Sequence, residues 1–108
     1  MTGHDLTVDG LYEVLSDGTR RRLLWTMLDS GPPMRLRIPE DLPRDVADHR
    51  PRRIQLHHVH LPKLVDAGLV SWDDDRGEVT GGPTFDRAKP LLAVARDGER
   101  VTPLPGAV

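Results

Sequence analysis

HHVHLPKLVDAGLVSWDDDRGEVT, residues 57–80, is the stretch whose reading decides the fold. In its first half, apolar residues recur at helical spacing through Leu61, Leu64 and Val65, and Gly68 suits a helix stop. After Gly68 the pattern turns extended. LVSW leaves the helix, DDDRG makes a turn and EVTGG returns, so 69–82 reads as a β-hairpin. Traced backwards, the helix occupies 54–67. At 100° per residue, one face collects Ile54, His57, His58, Leu61, Leu64, Val65 and Gly68. The other carries Arg52, Gln55, Leu56, Val59, Lys63 and Asp66. The first face is expected to point inward, leaving the second free to touch something large. Pro62 cannot donate to the carbonyl of His58, so the helix is expected to bend there or to start late enough to hold Pro62 in its first turn.

Upstream, residues 1–5 read as a loose start. VDGLYEVLSD forms a first helix with Asp9 as N-cap and Leu11, Val14 and Leu15 inward. SDGTRRRLLWTMLDSG forms a second, capped by Ser16 or Asp17, striped by Leu23, Leu24, Met27 and Leu28, and stopped at Gly31. MRLRI alternates like a short strand, with Met34, Leu36 and Ile38 on one face. PEDLPRDVADH starts a helix at Pro39 that Pro43 shortens or breaks, and RPRR is a basic joint. Downstream, TFDRAKPLLAVARDG is a last helix that Pro90 splits or bends and Gly98 ends. The expected organisation is one domain over 6–96 and a Pro-rich tail over 97–108. The class is mostly α with a small β-hairpin (α+β), and a helical unit followed by a hairpin is a winged helix-turn-helix.

A chain of 108 residues supports one modest core. It has no cysteine, which excludes disulfides, thiolate metal sites and thiol nucleophiles. No apolar run is long enough to span a bilayer and no basic segment precedes one, so a cytoplasmic protein away from membranes is expected. The net charge is −2, with acids mostly Asp and bases almost all Arg; Lys occurs only at 63 and 89. No Gly-rich phosphate loop, HExxH or Ser-His-Asp arrangement is present, and DDDRG lacks the spacing of a calcium loop. The reading is therefore of a non-enzyme without a cofactor.

LSDGTRRRLLWTML together with 57–80 resembles the ArsR-like winged-helix transcriptional regulators. The match lies in His60, Leu61 and Leu64, followed by Ala67, Gly68, Leu69 and Val70, and the likeness runs over roughly 9–95. HLPKL resembles most closely a group of small winged-helix proteins of halophilic archaea. The resemblance implies a DNA-binding transcription regulator that reads double-stranded DNA with helix 54–67. It also implies a homodimer joined through the terminal helices, around Leu11–Leu15 and Phe85–Val94. Two reading helices would then meet major-groove turns about 34 Å apart.

The candidate DNA-binding residues are Arg50, Arg52 and Arg53 for phosphates, Gln55, Leu56, Val59 and Lys63 toward bases, and Arg76 on the wing. Arg50, Arg52 and Arg53 read equally as a solvated turn. Leu56 and Val59 would meet thymine methyls, form a partner surface, or be covered by the 39–45 segment. In molar salt, where screening acts within about 3 Å, apolar contact would matter more than net charge. Asp73, Asp74 and Asp75 at the wing tip would repel phosphates. Those features favour an alternative, a winged-helix protein-interaction module that does not read DNA.

A third reading is a metal or small-ligand sensor built on His57, His60 and a carboxylate; its plainer counterpart has His57 and His58 packing at the core edge and His60 bonding locally. The cysteine pairs of metal-sensing relatives are absent. Arg20, Arg21 and Arg22 stand at a helix N-terminus, where the dipole disfavours cations. Phosphate, or the carboxylates of Glu13, Asp17 or Asp66, would compensate.

Overall fold

The computed structural model describes residues 6–101. The loose start at 1–5 and residues 102–108 of the expected tail lie outside that range. The chain is mostly helical with a small antiparallel sheet. Helix α1 spans Val8–Leu15, α2 Gly18–Ser30, strand β1 Leu36–Arg37 and α3 Arg44–Ala47. A long rod follows in three segments: α4 at Arg50–Gln55, a π-helical turn at Leu56–His60, and α5 at Leu61–Asp66. Strands β2 (Val70–Asp73) and β3 (Glu78–Gly81) form the hairpin, and α6 runs Phe85–Val101.

Local chemistry sets most boundaries. Thr7, rather than Asp9, caps α1: its hydroxyl accepts from the Gly10 N–H. Asp17 caps α2, accepting from the N–H groups of Thr19 and Arg20 at 2.8 and 3.2 Å. Gly31, at φ 69°, ends α2. Gly68, at φ 75°, ends α5 in a Schellman arrangement, with Gly68 N–H on the Val65 carbonyl and Leu69 N–H on that of Leu64. The third helix does not begin at Pro39; Pro43 occupies its N-cap, which leaves one short turn. RPRR is not a joint but the first turn of the rod, which therefore starts at Arg50 instead of 54. Pro51 sits in that turn, where no N–H is needed, and the His49 imidazole caps it.

The hairpin forms as expected, pairing Val70 with Gly81 and Trp72 with Val79. β1 adds to its outer side with Leu36 opposite Val79, so the sheet order is β1-β3-β2. MRLRI keeps only two residues in the strand. Leu36 and Ile38 are buried, while Met34 takes a positive φ and packs at the core margin. The core collects Leu23, Leu24 and Met27 of α2, Leu56, Leu61 and Leu64 of the rod, Val79, and Phe85 and Leu92 of α6.

Helix α6 departs from the reading at both of its breakers. Pro90 lies inside a continuous helix; the carbonyl it leaves without a donor belongs to the exposed Asp86, where solvent can substitute. Gly98 does not end the helix, because residues on both sides of it are tied to α2. Arg96 and Arg100 pair with Asp29, and Glu99 accepts from Arg21 and Trp25. Residues 97–101 thus continue α6.

Gly82 marks the closest approach between hairpin and rod. A Cβ there would lie 2.4 Å from the Gly68 carbonyl oxygen and 2.9 Å from Val70 N, both main-chain atoms. At Gly98 a Cβ would meet nothing within 4 Å. Gly82→Ala is therefore expected to destabilise the chain by about 1–3 kcal/mol in urea unfolding. Gly98→Ala should stabilise it by about 0.5–1 kcal/mol. Equal effects of the two changes would contradict this packing.

Candidate nucleic-acid interface

The rod is the element that offers a large outward face, and three arginines at the start of α2 fix how it sits. Arg20 is buried. Its Nε donates to the Val14 carbonyl at 2.8 Å and Nη2 to the Glu13 carbonyl at 3.0 Å. Both acceptors lie at the C-terminus of α1, where the dipole welcomes a cation; the Glu13 carbonyl also accepts from Ser16. The remaining Nη1 contacts His60 Nδ1 at 3.2 Å. Arg21, 2% exposed, donates to the Leu15 carbonyl and to Glu99 at 2.7 Å. Arg22 pairs with Asp45 of α3. The compensation predicted for this basic turn is thus supplied by main-chain carbonyls, Glu99 and Asp45. Asp17 contributes as a cap and lies 3.6 Å from His60 Nε2.

The inward stripe of the rod runs Leu56, His60, Leu61 and Leu64, with Arg53 and His57 at its margin. Two assignments of the sequence reading are corrected here. Leu56, expected outside, is fully buried, whereas Ile54, expected inside, is 47% exposed. His58 is exposed and His60 is buried. The cause is the placement of the stripe: it runs through 53, 56, 57, 60, 61, 64 and 68, and so takes in Leu56 and His60 in place of Ile54 and His58. Pro62 stands in the first turn of α5, directly after the π turn, while the rod as a whole starts earlier, at Arg50. The π turn before it is closed by Leu61 N–H on the Leu56 carbonyl. A wide turn there relieves the clash a proline ring makes with the carbonyl four residues back.

The outward face carries Arg52, Gln55, His58, Val59, Lys63 and Asp66, with Ile54 exposed at its edge and Arg50 exposed at the rod's first residue. Among the described residues, the Arg50 side chain has no partner. Arg52 reaches Asp45, at 3.1 Å to its carbonyl and 3.4 Å to its carboxylate. Arg22 and Arg52 together hold the Asp45 carboxyl below the usual carboxylate range, the Arg22 hydrogen bond being the larger cause. Lys63 lies 3.6 Å from Glu13. Arg53 differs, being half-buried and spent on the Ala47 carbonyl, so it anchors α3 rather than facing outward. At the hairpin tip Arg76 is paired with Asp73 at 3.8 Å, and the side chains of Asp74 and Asp75 have no partner among the described residues.

His57 donates from Nδ1 to the Arg53 carbonyl and meets Trp72 edge-on. His57 and His60 thus have separate partners, and no group of three or more metal-ligating side chains is found among the described residues. No helix of the described residues is long and apolar enough to cross a membrane.

Residues 12–80, more than half of the chain, match a family described as Domain of unknown function (DUF7344). The chain belongs to this family. The matched span contains α2, the whole rod and the hairpin, with Asp17, Arg20 and His60; it stops before α6, so Glu99 lies outside it. No curated protein and no solved structure matches the chain.

Sequence reasoning missed the Asp17–Arg20–His60 cluster, although the heptad-like spacing of 53 to 68 carried its signal. The exchange of faces gives a direct test. Leu56→Ala should cost about 2–5 kcal/mol in denaturant unfolding, as for a fully buried leucine. Val59→Ala, on the outer face, should cost under about 1 kcal/mol. A cost for Val59 equal to that for Leu56 would overturn the assignment.

Proposed function

We propose that the chain is a winged helix-turn-helix transcription regulator that binds double-stranded DNA as a homodimer. The observation that carries this reading is the exposed side of the 50–66 rod, which presents Arg52, Gln55 and Lys63, with Arg50 exposed at the rod's first residue. A rod that follows a short helix and precedes a hairpin is the order in which such proteins present a helix to a major groove. The internal pairs of Arg52 and Lys63 do not oppose this. Exposed ion pairs contribute about 0–1 kcal/mol, so phosphates can replace Asp45 and Glu13. Ile54 and Val59 take the place assigned to Leu56 and Val59: apolar contacts between the cations, suited to thymine methyls. Leu56 supports the face from beneath.

A second copy would seat on α1 and α6. Val8, Tyr12, Leu91 and Val94 are exposed there beside a groove lined by Leu6, Leu11, Arg87 and Ala88. Asp9 on α1 and Arg87 on α6 have no partner among the described residues and offer opposite charges at this edge.

The protein-interaction reading keeps one specific support. Asp74 and Asp75 have no partner among the described residues at the hairpin tip, and Ile54 and Val59 leave apolar side chains exposed on the rod.

Titration of the full chain with randomised duplexes across a salt series separates the two. DNA binding requires affinity that falls with salt. Changing Arg50 and Arg52 together to Ala should weaken binding to every duplex and reduce the salt slope by about 2. Gln55→Ala should relax preference at one base pair. Absence of binding to any duplex at low salt would reject the DNA reading in favour of a protein partner.

A further inference from the structure

His60 is the one imidazole of the rod that is buried, at 7% exposed. A guanidinium only donates, so the 3.2 Å contact between Arg20 Nη1 and His60 Nδ1 requires a lone pair on Nδ1. The ring proton then sits on Nε2, turned toward Asp17 Oδ1 at 3.6 Å, too long for a hydrogen bond. Arg20 cannot swing aside, because Nε and Nη2 are held by the Val14 and Glu13 carbonyls. A proton on Nδ1 would place N–H against N–H and a second cation beside the first. The ring, not Arg20, has to move, and it stands in the π turn, next to the wide stretch of the rod.

We propose that His60 is a proton-operated latch: neutral, it fastens the 50–66 rod to α2 through Arg20, and protonated, it releases the middle of the rod. The charged groups around it are few. From α2 come Arg20 and Asp17; from α1 comes Glu13, whose carboxylate pairs with Lys63; from the rod itself comes Lys63. Asp17 favours a charged ring but is occupied as the cap of α2. Burial opposes the charge most strongly, Arg20 and Lys63 add to that opposition, and together they hold the imidazole below its ordinary 6.5. With the folded value below the unfolded one, the stability His60 lends is complete above about 6.5 and is lost as pH falls beneath it. The inference does not rest on what the outer face binds.

The test is NMR of the full chain from about pH 7.5 to pH 5, following ring nitrogens and amide exchange corrected for its intrinsic pH dependence. In the wild type the neutral ring should be the Nε2–H tautomer. As it titrates, protection of residues 56–66 should fall about tenfold per unit that its folded value lies below the unfolded one. His60→Gln keeps an acceptor for Arg20 without a titrating group, so its protection should stay level. His49 is a second imidazole that accepts, from the Arg52 N–H at 3.3 Å. In His49→Asn the response of 56–66 should persist. An Nδ1–H tautomer in the wild type would overturn the latch even if His60→Gln failed to fold. An undiminished response in His60→Gln, or its disappearance in His49→Asn, would also overturn it.

Discussion

The buried guanidinium of Arg20 is the constraint on which the rest of the structure depends. Taking a cation out of water costs several kcal/mol unless its donors are met in good geometry. Here three donors are met at once by the Val14 and Glu13 carbonyls and by His60. The Val14 carbonyl belongs to the last turn of α1, where helical donors run out, and the Glu13 carbonyl also accepts from Ser16, so Arg20 completes the end of α1. It also determines which side of the 50–66 rod lies against α2, because the imidazole it contacts must face inward. Arg21 and Arg22 extend the same device to α6 and α3, through Glu99 and Asp45. A run of like charges, improbable as a helix start, works because each member leaves in a different direction.

Once the rod is fixed from below, its other side is defined. Leu56, Leu61 and Leu64 are committed to the core; Arg50, Arg52, Gln55, His58 and Val59 are not. The buried stripe continues across the π turn, from Leu56 through His60 and Leu61 to Leu64, and the exposed residues lie opposite it. The hairpin is joined tightly to the end of this rod. Gly82 lies against Gly68, and Thr84 bonds the Gly68 and Ala67 carbonyls. Whatever the rod touches, the acidic hairpin tip comes with it.

The features legible in the sequence were those written in local chemistry. Gly31 and Gly68 as stops, Asp17 as a cap, and the turn between Val70 and Gly81 depend only on neighbours in the chain. The errors arose where distant partners decide. His60 was expected to bond locally, but its partner, Arg20, is forty positions away. Gly98 looked like a stop because Asp29, Arg21 and Trp25, which hold the helix around it, belong to α2. Leu56 was placed outside because a stripe drawn from Ile54 excluded His60. Of the candidate site, Arg52, Gln55, Val59 and Lys63 stand on one exposed face, and Arg50 is exposed at the rod's first residue. Leu56 is buried, Arg53 is turned to Ala47, and Arg76 sits apart on the hairpin.

A double-mutant cycle between Arg20 and His60 examines the central contact directly. Arg20→Met, His60→Leu and the double variant would be compared by urea unfolding near pH 7.5. A hydrogen bond from a buried cation across the α2–rod contact predicts a coupling of about 1.5–3 kcal/mol. Costs that add to within about 0.5 kcal/mol would mean that the two side chains do not depend on one another, and that something else holds the rod.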